Sequence, residues 1–155
     1  MINYKKILIN SIVMLIIQTA TLSNAIAQTS FFRAAYYGHS HEVSAAINNG
    51  EDVNLIDNNG WTALMYAANM SKTETVKILI ENGADVNFRD RDGWTPLISA
   101  ESLEVIKILV ANGADVNARA HDGWTALDYA VWEENQVLID YLLAVGANKL
   151  TTIQN

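Results

Sequence analysis

The chain lacks cysteine altogether, has one proline, and carries few basic residues: Lys+Arg 10 against Asp+Glu 17 in 155 residues. Without cysteine there is no disulfide framework and no thiol for a lipid anchor, so stability has to come from packing. The formal net charge of -7 repels phosphate backbones and anionic lipid, which argues against nucleic acid as a partner. No phosphate-binding glycine loop occurs, and no Ser, His and Asp are set by spacing as a nucleophilic group. His39 and His41 form a His-x-His pair, but no cysteine and no third ligand stand near it, and no metal is expected. The acidic pairs Glu51 and Asp52, Asp90 and Asp92, and Glu133 and Glu134 fall on surfaces or turns, where nothing encloses a carboxylate and raises its pKa. The chain is therefore read as a non-enzyme without a cofactor.

Much of the 50% hydrophobic content belongs to the N-terminus. Lys5 and Lys6 precede an apolar run from Ile7 to Ile17, and the stretch ends Ser23-Asn24-Ala25-Ile26-Ala27. A short positive region, a short apolar region and a small-x-small site make residues 1–27 a secretory signal peptide, cleaved after Ala27. The destination is the periplasm or the medium. The alternative is an uncleaved membrane anchor, since no charge occurs between Ile7 and Ala27, about the 20 residues needed to span a bilayer. Asn10, Ser11, Gln18, Thr19, Thr21 and Asn24 dilute that stretch, which favours cleavage. Removing residues 1–27 takes away two Lys and no acid, moving the formal charge from -7 to about -9.

What the rest of the chain has is repetition. Gly60-Trp61-Thr62, Gly93-Trp94-Thr95 and Gly123-Trp124-Thr125 are copies of one tripeptide, and Gly50, Gly83, Gly113 and Gly146 lie 33, 30 and 33 residues apart. Self-similarity at such a period means one supersecondary unit stacked on copies of itself, because a single unit cannot bury its own apolar face.

Within each unit the apolar residues have the helical period. Thr62 precedes Ala63 to Ala68 as the cap of a first helix, and Thr95 and Thr125 occupy the same place. Pro96 follows Thr95 at the first helical position, where a missing N–H costs nothing. Val76, Leu79 and Ile80 mark a second helix, as do Ile106, Leu109 and Val110, then Ile139, Leu142 and Leu143; each stops at a glycine suited to the left-handed cap. The polar stretches between, with Asp92-Gly93 and Asp122-Gly123, read as extended connections with hairpin-like turns.

At Gly83-Ala84-Asp85-Val86-Asn87, Ala114-Asp115-Val116-Asn117 and Gly93-Trp94-Thr95-Pro96-Leu97 the chain resembles the ankyrin-repeat family. The resemblance implies an all-α repeat fold, an ankyrin-type α-solenoid of helix-turn-helix units with hairpin loops. Its repeats span about 28–57, 58–90, 91–120 and 121–150, with a polar tail at 151–155. It also implies a concave face of hairpins and first helices that holds a protein partner. The departures are specific. The family's His after Thr-Pro-Leu, which ties neighbouring loops, is replaced by Met65, Ile98 and Asp128, so weaker coupling between loops is expected. The third repeat has three residues fewer between Leu97 and Ile106 than the second has between Leu64 and Val76. Its first helix should end near Glu101, with Ser102 capping the second helix directly and a notch left on the binding face. The first repeat starts without a hairpin, with a first helix near Thr29 to Tyr37 and a second from about Ser40 to Asn49.

Candidate partner contacts follow from this alignment. Trp61, Trp94 and Trp124 form either an aromatic strip open to a partner or a set of indoles packed on the next hairpin; the intermediate burial usual for Trp favours packing. The resemblance puts Tyr36, Tyr37, Asn69, Met70 and Trp132 at the variable ends of first helices and Asn58, Asn59, Asp92 and Asp122 at hairpin tips. The reading is an exported, monomeric interaction module for a protein partner, with basic partners favoured by its acidic surface. The alternatives are an accessory that stabilises or protects an exported enzyme, and a secreted effector acting on host proteins.

Overall fold

A computed structural model describes residues 17–19 and 26–148. The proposed signal peptide and the polar tail lie almost wholly outside the described residues. No helix among the described residues is long and apolar enough to cross a membrane.

The elements of the described chain are helices joined by turns and loops, with α1 over 26–37, α2 Ser40–Asn48, α3 Ala63–Asn69, α4 Thr73–Glu81, α5 Leu103–Ala111, α6 Ala126–Trp132 and α7 Gln136–Ala144. The pairing of α3 with α4 and of α6 with α7 makes the hairpin units, and α4 packs between α2 and α5. Short helices of seven to nine residues hold only because one face of each is buried. Val43, Leu64, Val76, Leu79, Leu97, Ile106, Leu109, Leu127 and Leu142 join in one continuous apolar seam through all four units. Ala67 and Ala68 are fully buried, which lets the paired helix approach closely.

The expected caps form. The hydroxyls of Thr62, Thr95 and Thr125 accept from the amides of Met65, Ile98 and Asp128 at 3.3, 3.3 and 3.1 Å. Gly83, at φ +88°, ends α4: its amide donates to Ile80 O and that of Ala84 to Leu79 O, both at 3.0 Å, the paired bonds of a left-handed helix cap. Between the two helices of the second and fourth units the same backbone conformation falls on non-glycine residues, Ser71 at φ 55° and Glu134 at φ 53°.

The third unit corrects the sequence expectation. Residues 96–99 form turns and no first helix develops, leaving one α-type bond from Ser99 N to Thr95 O at 3.1 Å. With three residues missing before α5, a second turn has no room. Ser102 stands at the N-cap of α5 but makes no side-chain bond there.

Among the described residues, those at the position of the family's His make no side-chain bond from one loop to the next. Met65 is wholly buried and Ile98 packs with Ala118 and Ala120, while the Asp128 carboxylate accepts from Thr125 N at 3.0 Å and closes a capping box. The loops are joined instead by Asn54, Asn87 and Asn117. The Asn87 side chain donates to Gly113 O at 2.9 Å and accepts from Asp115 N at 2.8 Å. Asn54 does the same with Gly83 and Asp85, and Asn117 with Gly146 and Asn148. Each amide satisfies a carbonyl and an N–H left over where the next helix stops.

Candidate protein-interaction site

The hairpins are set by single carboxylates. Asp57 Oδ1 accepts from the amides of Asn59 and Trp61, both at 2.9 Å, and Asp90 Oδ1 accepts from those of Asp92 and Trp94 at 2.9 and 2.8 Å. One Asp thereby closes the turn and aims the indole that follows it. Ala120 stands at this place in the fourth hairpin, where Asp122 makes one bond, to Trp124 N at 3.1 Å. Extended pairing is limited among the described residues to a single bridge, Ile56 with Thr62.

The aligned tryptophans are half-buried and are not stacked on one another. Trp61 donates its indole N–H to Asp90 Oδ2 of the next hairpin at 3.0 Å and lies against Tyr66, ring centroids 5.0 Å apart. Trp94 meets Tyr129 edge-on at 6.3 Å. Trp124 meets both Tyr129 and Trp132, at 6.4 and 6.2 Å. Tyr66 and Tyr129, one turn after the capping Thr, thus organise two aromatic groups, and neither was singled out from sequence. The available signal was their shared register: Tyr66, Ser99 and Tyr129 follow Thr62, Thr95 and Thr125 by the same step.

At the N-terminal group, Tyr36 and Tyr37 are exposed, 38% and 59%, and their rings meet edge-on at 5.0 Å. Tyr36 also reaches Tyr66 at 6.2 Å. A groove of about 790 Å³ runs between α1 and the Asn58-Asn59 tip, floored by Phe32 and Tyr66. The Tyr66 hydroxyl donates to Asp57 Oδ2 at 2.7 Å and accepts from Asn59 Nδ2 at 3.2 Å. Burial, and then the bond to Asp57, hold its pKa above the usual tyrosine value.

At the C-terminal group, Trp132 is 64% exposed beside Val131 at 53%. Asn69 and Met70 are less free than their register suggested. Both are half-buried; Asn69 donates to Ser99 O at 3.2 Å, and Met70 is the C-cap of α3. Asp92 and Asp122 are exposed. Where the third first helix is missing, a cleft of about 320 Å³ opens between Trp61, Trp94 and Tyr129, with Asn69, Asp90, Asp92 and Ser99 completing its walls. The notch expected from the shortened repeat is this cleft.

His39 meets Glu42 at 3.4 Å on an exposed surface, and no cluster of three or more metal-ligating side chains exists among the described residues. The arrangement is therefore one of aromatic surfaces and hydrogen-bond acceptors, suited to contact with another molecule.

A search of curated proteins finds no match to the chain. A family model for ankyrin repeats (three copies) matches residues 8–90, 31–120 and 87–153. Its coverage takes in every helix described above, and the stacked helix pairs, capping threonines and glycine stops agree with it: the chain belongs to the ankyrin-repeat family.

Proposed function

We propose that this protein is exported and holds a protein partner on the concave face formed by its hairpins and first helices. Ankyrin repeats are general protein–protein interaction modules, and the observation that carries the finer reading is the exposure of Tyr36, Tyr37 and Trp132. The apolar seam does not use these three side chains. Large aromatic side chains held on packed helices lose little entropy on binding and are the commonest anchors of interfaces. The acidic surface adds attraction for basic partners and makes association weaken with salt.

Export rests on the Lys5-Lys6, apolar and Ala25-Ile26-Ala27 pattern. Cell fractionation with N-terminal sequencing tests it: the mature chain should begin at Gln28, and full-length protein in the cytoplasm would refute export. Affinity capture from the exported fraction tests the interaction. A protein retained by the wild type and lost with the Tyr37→Ala, Trp132→Ala pair supports the reading, and equal retention by both removes the aromatic contacts from it. A resident enzyme as the captured protein points to an accessory role; a host protein points to an effector.

A further inference from the structure

We infer that the cleft opened by the shortened third repeat receives the guanidinium group of one arginine side chain presented by the partner. The inference rests on the interaction reading above and assigns one contact within it.

The cleft exists because residues 96–99 make turns where the neighbouring units have a helix, and because Ser99 stands where they have Tyr66 and Tyr129. A ring is missing from the row, and the flanking rings remain. Trp61 and Trp94 are fixed by the Asp57 and Asp90 clasps, and Tyr129 is held edge-on to Trp94. Aromatic faces in fixed positions attract a cation, most strongly when water is partly excluded. The volume of about 320 Å³ sits at the small end of ligand pockets, which run about 300–1,000 Å³. It suits a single long side chain.

The polar groups are acceptors. Asp90 accepts from three N–H donors, those of Asp92, Trp94 and the Trp61 indole. The Asp92 carboxylate is exposed and, among the described residues, neither accepts a hydrogen bond nor meets a cation. Asn69 spends its amide N–H on Ser99 O, leaving its amide oxygen as a further acceptor. Of the chain's own arginines nearest the cleft, Arg89 donates to the Arg119 carbonyl and passes beside Gly93, and the Arg91 stem lies over Gly60; neither forms an ion pair with Asp90 or Asp92 among the described residues. Negative potential extends to the rim, where burial first, then the charges of Glu101 and Glu133, raise the pKa of Tyr129.

Arginine fits this set better than lysine. Its planar group stacks on aromatic rings, gives up water more readily, and offers a fork of donors to a carboxylate. Lysine presents a compact, strongly hydrated charge that uses the flat walls poorly.

The test is an NMR titration of the full chain, following the indole N–H signals of Trp61 and Trp94, with capped Ala-Arg-Ala peptide and its lysine and citrulline counterparts. The arginine peptide should shift both indoles saturably. The citrulline peptide, isosteric but uncharged, should bind at least about tenfold more weakly, as should the arginine peptide to Asp92→Asn, since a charge-assisted fork is lost in each case. Asp92 is exposed, so that variant keeps the fold; an unchanged indole spectrum before titration checks it. Equal binding of arginine and citrulline peptides, indifference to Asp92→Asn, or no indole shift at millimolar peptide would each overturn the inference. Capture of a partner that is undiminished by Asp92→Asn would overturn it while leaving the interaction reading intact. Peptide binding with no partner captured would have the opposite meaning.

Discussion

The Trp61 indole donates to the Asp90 carboxylate at 3.0 Å across 29 positions of sequence. The same carboxylate closes its own hairpin through two backbone amides. One side chain therefore both shapes the third hairpin and fastens the second to it, which is how two loops without regular strands keep a fixed spacing.

Replacing Asp90 should accordingly be felt beyond its turn. Asp90→Ala orphans three donors and is expected to lower stability by about 1–3 kcal/mol, measured by urea unfolding. Asp122→Ala, which removes one exposed bond, should stay within about 0.5 kcal/mol. Equal effects would show that the Trp61 link adds nothing.

Leu109 lies fully buried in the seam on α5. Leu109→Ala should cost about 2–5 kcal/mol through lost transfer energy and the cavity left behind. The exposed Trp132 gives the contrast: Trp132→Ala should alter stability by less than about 0.5 kcal/mol. A severe loss at Trp132 in thermal unfolding would show that its contacts with Trp124 and Tyr129 hold the last unit together.

Thr75 on α4 is buried with its hydroxyl unpartnered among the described residues. Thr75→Val keeps the branched shape and removes a desolvated hydroxyl, so stability should rise by about 1–2 kcal/mol. A fall would mean that the hydroxyl has a partner, such as a bound water.

Glu134 occupies the left-handed conformation at φ 53°, where the first unit has Gly38. Glu134→Gly relieves the clash between Cβ and the carbonyl but frees the unfolded chain, leaving a net gain of about 0.5–1 kcal/mol. Chemical denaturation midpoints decide it; an unchanged or lower midpoint would place the gain in the unfolded state.

Tyr66 supplies a pH test. Its folded pKa is raised above the tyrosine value near 10, by burial first and then by the bond to Asp57. The neutral hydroxyl is the form the fold prefers, so its contribution is fully present below about pH 10 and is lost as pH rises through the folded value. Wild-type stability should fall more steeply than that of Tyr66→Phe as pH rises above about 10. Parallel curves would separate the hydroxyl from the alkaline loss.

Much of the architecture was legible because its causes are local. A capping Thr, a helical run and a glycine stop recur at fixed steps, and those signals need no knowledge of neighbours: Thr62, Thr125 and Gly83 act as their positions imply. The third unit was harder to read. A deletion of three residues shows in the sequence, but whether the remainder makes a short helix or only turns depends on how far α5 is held by the seam. The loss of the family's His was legible too, yet its consequence was not, because Asn54, Asn87 and Asn117 look like ordinary turn residues until the next unit brings a spare carbonyl and amide within reach.

The sequence by itself determined the repeating unit, its caps, its stops and its acidic surface, since each follows from side chains acting on backbone a few residues away. Stacking decided the rest. Only when the units lie side by side does Asp90 receive the Trp61 indole, do Tyr66 and Tyr129 meet Tyr36 and Trp94 of the preceding units, and does the absent third helix become a cleft, because each of these relations joins residues of different repeats.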